Sequence, residues 1–219
     1  PHEPSRRQRQ MCIRDRSYVK TLPEAIVRSL NLDTFEIDPT NYTDARLKEF
    51  FSDVVYSCEH VGGRQVRISF LLEHKSYKVD FPEMYIMLLT YILRIWETDI
   101  KQNRELSVVV PCIIYHGKET WDMRPFHDYF AGMEPEFLRF IPTFEYTLTD
   151  LSGMDDAEIE RLESEFLQVA FWLMKHKRDE ENVLKHFGEL LAHFIGKFGT
   201  VIGEQFFEAT MQYILYGVK

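Results

Sequence analysis

The chain has 219 residues, of which 45% are hydrophobic and 28% are charged. This is the composition of an ordinary globular protein, and it excludes collagen-like, intrinsically disordered and disulfide-scaffold classes. The formal net charge of −9 excludes a generic nucleic-acid coat protein, so a polyanion would have to bind at a local basic patch. The longest apolar stretch, residues 84–96, is shorter than the roughly 20 residues of a membrane span. Three cysteines in no metal-binding spacing favour a reducing, cytoplasmic location.

Residues 1–17 are rich in arginine and have no apolar periodicity. A basic arm that binds phosphate is one interpretation. The other is that Met11-Cys12-Ile13-Arg14-Asp15 translates a transposon-based sequencing adapter, and we favour this second interpretation. Residues 1–17 are therefore treated as a non-native segment, excluded from fold reasoning, and the native start of the protein is expected to be missing.

The N-terminal half of the chain predicts alternating helices and strands. Apolar residues recur every four positions from Tyr18 to Leu30, which indicates a helix. A short strand is expected at residues 34–38, and a β-hairpin at residues 50–75. Asp80-Phe81-Pro82-Glu83 has an acidic N-cap, a first-turn proline and a capping-box glutamate, so a buried helix should begin there and run to about Lys101.

The second half begins with a strand and ends in helices. Residues 106–115 are a continuous apolar run, and Pro111 within it predicts a β-bulge or an edge position. Residues 118–154 are expected to form packed loops with short elements. Helical spacing then returns, and it predicts one helix through Ile159 and Leu173, a second at residues 183–194 and a third at residues 201–215.

The pairing register of the hairpin decides whether this region can carry chemistry. A two-residue Gly62-Gly63 loop would place polar residues opposite apolar ones at nearly every position. A three-residue loop, residues 62–64, instead gives one apolar face and places Asp53 opposite Glu73. Directly opposed carboxylates repel each other unless a cation lies between them. A pair of this kind suits Mg²⁺ or Mn²⁺, although a solvated strand end where the two acids separate is an equal alternative.

Lys75 lies two residues beyond Glu73 and projects from the same face of the predicted strand. Its ammonium group could orient or deprotonate a metal-bound water and offset the charge of a phosphate. His74 would point to the opposite, apolar face, and we interpret it as a packing residue. His116 and Lys118 follow the predicted strand at residues 106–115. A phosphate contact from either residue and a purely structural turn are equal alternatives there.

The arrangement Asp53…Glu73-His74-Lys75 resembles the Asp…Glu-x-Lys core of the PD-(D/E)XK nuclease superfamily. More specifically, residues 18–150 resemble the Rpn family of recombination-promoting nucleases, also called YhgA-like transposases. The strongest matching segments are Phe70-Leu71-Leu72-Glu73-His74-Lys75-Ser76 and Val109-Val110-Pro111-Cys112-Ile113-Ile114-Tyr115-His116-Gly117.

The resemblance implies an α/β fold with a restriction-endonuclease-like α-β-β-β-α-β core at residues 18–150. The remaining residues, 151–219, would be an all-helical C-terminal appendage. It also implies Mg²⁺-dependent (or Mn²⁺-dependent) cleavage of DNA phosphodiesters by a metal-activated water. In that role Asp53 and Glu73 would be metal ligands, and Lys75 the catalytic base or water-positioning residue. An association with recombination comes from the resemblance alone.

DNA is the expected partner, and no membrane association is expected. Several basic residues near the hairpin could supply the local patch that an acidic chain needs, although they could equally form a solvated face: Arg64, Arg67, Lys75, Lys78 and Lys118. The alternative function is a catalytically inactive binding or assembly module that keeps the nuclease fold. In that alternative the C-terminal helices, residues 156–217, would mediate homo-oligomerisation.

Overall fold

The computed structural model describes residues 16–38, 51–73, 81–117, 119, 121, 123–176, 179, 181–183 and 185–186. The chain divides into two compact units, and each is considered by itself. One unit comprises residues 22–152, and the other comprises residues 1–21 with residues 153–219. Within the described ranges, no helix combines the length and hydropathy that a membrane crossing requires.

The unit of residues 22–152 is built on a mixed five-stranded sheet. Its strands lie side by side in sequence order: β1 Leu30–Ile37, β2 Phe51–His60, β3 Gln65–Glu73, β4 Val108–Tyr115 and β5 Thr147–Asp150. The β1–β2 and β2–β3 pairs are antiparallel, whereas β3–β4 and β4–β5 are parallel. The prediction of a mixed α/β protein is therefore confirmed.

A helix of 21 residues, Phe81–Lys101, connects the parallel strands β3 and β4. It is the helix predicted from the capping signals, and it ends at the predicted residue. The predicted N-cap, Asp80, lies outside the described residues. The core of this unit joins one side of the helix to the sheet and to the aromatic residues that follow β4: Val55, Met84, Tyr85, Met87, Leu88, Tyr91, Ile95, Ile113, Tyr115, Trp121, Phe126 and Tyr146.

The helix predicted at residues 18–30 is wrong in its extent. The described chain forms a 3₁₀ helix at Arg16–Thr21 and a short α-helix, α1, at Glu24–Arg28, and β1 begins at once with Leu30. Pro23 separates the two helices, because its extended backbone makes it the N-cap of α1. We call the helix Phe81–Lys101 α2.

The predicted hairpin at residues 50–75 is confirmed, but its register is wrong by two residues. Asp53 pairs with Leu71, and Glu73 pairs with Phe51. His60 and Arg64 close the turn, with backbone hydrogen bonds from His60 N to Arg64 O and from Gly63 N to His60 O, both at 2.7 Å. The loop therefore begins one residue earlier than predicted, and Gly63 adopts a φ of 82° that favours glycine.

The proline in β4 has a local explanation. β4 lies between β3 and β5, and Pro111 pairs with Ser69 of β3. Pairing with β5 begins only at Cys112, opposite Thr147. At Pro111, β4 therefore has a neighbour on one side only, so the edge position predicted for this residue holds at that point of an otherwise internal strand. Downstream of β4, a 3₁₀ helix at residues 126–130 and the helix α3, Pro135–Leu138, precede β5.

The regular secondary structure described in the other unit is helical. The single helix predicted through residues 159 and 173 is wrong, because two helices are present: α4 Asp156–Glu160 and α5 Glu165–His176. Asp155 begins α4 with a reciprocal capping box. Residues 181–183 and 185–186 are also helical, and the rest of the two further predicted helices lies outside the described residues.

A buried ionic network lies beside the amino-terminal half of β3. The guanidinium of Arg67 donates from Nε to Asp38 at 2.7 Å and lies 3.5 Å from a carboxylate oxygen of Asp99. Arg104 donates to the same Asp99 oxygen, and the backbone and hydroxyl of Ser107 donate to the other oxygen. The Arg67 and Asp99 side chains are 6% and 0% exposed. The prediction that Arg67 belongs to a basic surface patch is therefore wrong.

Burial by itself opposes ionisation of Asp99, but the hydrogen bonds from Ser107 and Arg104 and the charge of Arg67 outweigh it. The pKa of Asp99 is therefore below its ordinary value. Because the charged form is favoured only in the folded protein, ionised Asp99 stabilises the fold, and it links α2 to β3 and to the loop that enters β4.

We expect Asp99→Asn to lower the free energy of unfolding by about 3 kcal/mol, because it leaves Arg67 buried with one carboxylate instead of two. Chemical denaturation measures this change. Glu97→Gln is the matched control on the same helix, since Glu97 is 51% exposed and pairs only with Arg94 among the contacts found for it. An equal loss in both variants would contradict the proposed importance of the buried network.

The stabilisation by Asp99 is also expected to depend on pH. A lowered pKa in the folded state gives a contribution that is fully present above the unfolded value of about 3.9 and is lost as the pH falls through the folded value. Urea unfolding of the native chain and of Asp99→Asn between about pH 3 and pH 7 tests this. The difference between the two chains should shrink in acid, and a difference that stays constant would count against a lowered pKa.

Candidate functional site

Three parallel strands end at one edge of the sheet, which we call the carboxyl edge. Their last residues are Glu73 of β3, Tyr115 of β4 and Asp150 of β5. The antiparallel strand β2 begins at the same edge, because Phe51 pairs with Glu73. Ligands of open α/β sheets are commonly bound outside the carboxyl ends of the strands. A ligand site is therefore expected at this edge.

The backbone register places both predicted metal ligands at the carboxyl edge. Asp53 pairs with Leu71 and Glu73 with Phe51, so positions 53 and 73 are diagonal neighbours on adjacent strands, not a direct pair. Diagonal positions of an antiparallel pair are about 7–8 Å apart. The register differs from the predicted one by two residues, which is one full period of the strand. Positions 53 and 73 therefore still belong to the same alternating set of positions on the two strands.

The structure describes the backbone of the two acids, while their side chains lie outside the described part, as do Lys75, His74 and Lys118 entirely. The diagonal spacing still allows an aspartate and a glutamate to reach one cation from two strands. Two carboxylates and several waters are the ligand set that Mg²⁺ usually takes, so the residues present fit the implied metal. Among the side chains that the structure does describe, no group of three or more His, Cys, Asp or Glu could hold a metal ion.

His116 is the one predicted site residue whose side chain the structure describes. It immediately follows β4, and it is 5% exposed. Ile114 is the last residue of β4 that pairs with β3, opposite Leu72, so His116 lies two positions past that pair, at the same edge as Glu73. Its placement agrees with the predicted strand-end position, and its contact with phosphate stays a prediction.

The turn after β4 is shaped by an aromatic ring that lies against a glycine. A methyl group at Gly117 would overlap the phenol ring of Tyr115, so only glycine fits at this position. Tyr115 is 1% exposed and packs edge-to-face on Trp121, with ring centroids 4.9 Å apart. Packing of the Tyr115 ring against Gly117 and Trp121 therefore fixes the backbone on both sides of His116.

Asp150 is an acidic residue at the carboxyl edge that the sequence analysis did not single out. One carboxylate oxygen accepts a hydrogen bond from Trp121 N at 2.8 Å, and the other accepts bonds from the backbone and hydroxyl of Ser152 at 2.9 and 2.6 Å. These bonds hold the loops that follow β4 and β5 together. The Asp-x-Ser spacing is a turn signal that could have revealed this structural role.

The described cysteines do not supply a nucleophile. Cys58 and Cys112 are buried free thiols. Burial raises the pKa of Cys112 to about 12, so it stays a neutral thiol near pH 7. Nucleophilic cysteine chemistry is therefore not supported at either position.

A concave region lies at the opposite end of β3 from the carboxyl edge. It has a volume of about 480 Å³, and its lining includes both members of the Arg67–Asp38 pair and exposed Arg64. Its other charged lining residues are Glu36, Arg104 and Glu105, so acidic and basic groups are balanced. His116, the predicted site residue whose side chain is described, does not line this cleft, and the mixed charge of the lining gives the cleft no clear preference for a polyanion.

Comparison with known proteins identifies relatives among bacterial nucleases. The model of the family described as "Putative transposase, YhgA-like" matches residues 15–197. The inactive recombination-promoting nuclease-like protein RpnE of Escherichia coli K12 is 25% identical over 161 residues, which are 73% of this chain and 52% of RpnE. No solved structure matches the chain at a significant level.

Two relatives are named as nucleases without that qualification. The recombination-promoting nuclease RpnD of Escherichia coli O157:H7 is 26% identical over 143 residues, 63% of this chain and 53% of RpnD. The recombination-promoting nuclease RpnA of Escherichia coli K12 is 26% identical over 165 residues, 73% of this chain and 53% of RpnA. The chain thus spans about half the length of the curated relatives it matches. The family model covers most of the chain, and the protein belongs to the YhgA-like transposase family, which confirms the resemblance to the Rpn nucleases.

Proposed function

We propose that the chain is a Mg²⁺-dependent or Mn²⁺-dependent DNA endonuclease whose active site lies at the carboxyl edge. The observation that carries this proposal is the β2–β3 register, which brings Asp53 and Glu73 to diagonal positions of adjacent strands. Family membership and the names of RpnA and RpnD support nuclease chemistry. DNA as the substrate and recombination as the setting are part of the proposal.

The order of elements supports a restriction-endonuclease-like core. α1, the antiparallel β1–β2–β3 meander, α2 and the parallel strand β4 follow one another in the sequence helix, three strands, helix, strand. This is the order that the resemblance implies. In the proposal the helical residues after 151 form an appendage to that core.

Each proposed catalytic residue has a distinct role. Asp53 and Glu73 would hold the divalent ion through carboxylate oxygens, and the ion would supply Lewis-acid stabilisation of the phosphate and an acidified water. Lys75 would orient that water or accept its proton. His116 and Lys118, after β4, would contact the phosphate of the substrate. Amines beside a scissile phosphate stabilise the charge that develops during attack.

The positions of the basic residues restrict the surface to which DNA could bind. Arg67 is unavailable because it is buried between Asp38 and Asp99. Of the five basic residues predicted to form a patch, Arg64 lines the cleft at the opposite end of β3. Lys75, Lys78 and Lys118 lie outside the described residues and remain as candidates. With about three phosphate contacts, the logarithm of the DNA-binding constant should fall against the logarithm of salt concentration with a slope of only about −3.

A second candidate function is a catalytically inactive binding or assembly module with the same fold. The observation in its favour is that one relative, RpnE, is named inactive. In this case Asp53 and Glu73 would be remnants of a metal site, and the helices of residues 156–217 would mediate self-association. The two functions differ in whether the chain cleaves DNA at all.

Plasmid nicking tests the proposed active site. We expect nicking with Mg²⁺ or Mn²⁺, its loss in EDTA, and a fall of about 100-fold or more in Glu73→Gln and in Asp53→Asn, because each variant removes one anionic ligand. Lys75→Ala should lose a similar factor. Glu59→Gln is the matched control, since Glu59 lies on the same hairpin near its turn, opposite Gln65.

The outcomes separate the two candidate functions. Nicking that persists in Glu73→Gln would reject the metal-ligand assignment and point to a contaminating nuclease or to a different site. A folded native chain that is inert with both metals would favour the binding or assembly module. Equal losses in Glu59→Gln and Glu73→Gln would indicate a general effect on the hairpin and not on catalysis.

Gly117→Ala should damage the site through packing. The added methyl group must displace the buried Tyr115 ring from Trp121, which we expect to cost about 1–3 kcal/mol of stability and to shift His116. Thermal denaturation and the nicking assay measure the two effects. Gly153→Ala is the matched control, because nothing lies within 4 Å of a methyl group there. Wild-type stability in Gly117→Ala would contradict the packing argument.

A further inference from the structure

The outward side of α2 carries a row of exposed apolar residues. Ile86, Leu93 and Ile100 are 48%, 47% and 64% exposed, whereas the inward side of the helix is in the core. The three residues are seven positions apart, so they lie on one side of the helix, two turns from one another. Together they form a row about 20 Å long, which we call the α2 stripe.

The pattern around the α2 stripe is that of a helix-pairing seam. If Ile86, Leu93 and Ile100 take the a positions of a heptad, the d positions are Leu89 and Trp96, which are both half-buried. The polar residues flanking the stripe include Arg94 and Glu97, which pair with each other at 3.3 Å on the helix surface. An apolar seam with a charged border is suited to another helix.

We propose that α2 binds the α2 helix of a second copy of this chain, in antiparallel orientation about a two-fold axis at Leu93. A two-fold interface uses the same patch on both copies, so the patch must be complementary to itself. The α2 stripe meets this condition, because it reads Ile-Leu-Ile symmetrically about its centre. Leu93 would face Leu93, and Ile86 of each copy would face Ile100 of the other.

Charges at the ends of the helix favour the antiparallel orientation. Glu83 lies in the first turn of α2 and Lys101 in the last turn, on either side of Leu93. Antiparallel pairing brings Glu83 of one copy near Lys101 of the other, whereas parallel pairing brings like charges together. The helix dipoles also oppose each other in the antiparallel arrangement, which is the favourable one.

The size of the stripe sets the expected strength. A helix face about 20 Å long and 10 Å wide buries on the order of 200 Å² per copy, well under the roughly 800 Å² per partner of a stable specific interface. The dimer should therefore be weak and transient. It would be missed in dilute assays and populated in concentrated solution. This inference goes beyond the proposed function and does not depend on it.

Sedimentation of the full chain over about 2 to 200 µM tests the proposal, because a weak dimer is populated mainly at the upper end of this range. We expect a monomer–dimer equilibrium that Leu93→Asp weakens at least tenfold. Phe140→Asp is the matched control, since Phe140 is an 86% exposed apolar residue outside α2. A monomer at all concentrations, or a dimer that Leu93→Asp leaves intact, would overturn the proposal, and the second result would point to other self-association surfaces.

Cysteine cross-linking tests the orientation and does not require a destabilising charge. In the proposed dimer Leu93→Cys cross-links to itself, and Ile86→Cys cross-links to Ile100→Cys in a mixed sample but not to itself. The native chain gives the background, since Cys58 and Cys112 are buried and Cys12 lies outside the described residues. Self-cross-linking of Ile86→Cys as efficient as that of Leu93→Cys would indicate parallel pairing. Protection of Leu93→Cys from a thiol reagent in the monomer would show that the chain covers its own stripe, and either result overturns the proposal.

Exchanging the end charges adds a test that a general loss of stability would not mimic. Lys101→Glu should weaken the dimer about 2- to 10-fold, because it places a second carboxylate near Glu83 in both symmetric contacts. Adding Glu83→Lys to that variant should restore the native dissociation constant. If the double variant dimerises more weakly than Lys101→Glu alone, the Glu83–Lys101 contact is contradicted. The antiparallel orientation is then contradicted too.

Discussion

The antiparallel pairing of β2 with β3 is the constraint on which the candidate site depends. Both acids come from these two strands, and side chains alternate along each strand with a period of two residues. A slip of one residue would turn one acid away from the other, whereas a slip of two preserves their common alternation. The closed turn between His60 and Arg64, with glycine at the position of positive φ, fixes this register.

The two ends of β3 have different roles in the protein. At its amino-terminal half Arg67 is held between Asp38 and Asp99, and this buried network ties the strand to β1, α2 and the entry of β4. At its carboxyl end Glu73 lies at the edge where the proposed chemistry would occur. Asp150 lies at the same edge, but its oxygens are committed to Trp121 and Ser152. A carboxylate at this edge is therefore a metal-ligand candidate only if its oxygens do not already accept hydrogen bonds from the loops.

Local patterns were sufficient to predict the elements that depend on local physics. α2 could be predicted from capping signals, and the hairpin from the alternation around Gly62-Gly63. Other features depend on partners distant in sequence. From the sequence alone Arg67 resembles a surface cation, because its partners Asp38 and Asp99 are distant along the chain. The two-residue error in register has a different cause. Matching of apolar pairs cannot distinguish two registers that have the same alternation of faces. A shift of two residues keeps the alternation of positions 53 and 73, so the two positions remain diagonal neighbours on adjacent strands.

The direction of α2 connects the proposed dimer to the proposed chemistry. α2 follows β3 from the carboxyl edge and ends where the chain turns back into β4, so it runs opposite to both strands. Antiparallel pairing of two such helices, each about 30 Å long, places the two carboxyl edges at opposite ends of the assembly. The two proposed sites would then face apart and would act on DNA independently. Such an arrangement favours single-strand nicks over the concerted cutting of both strands at one position.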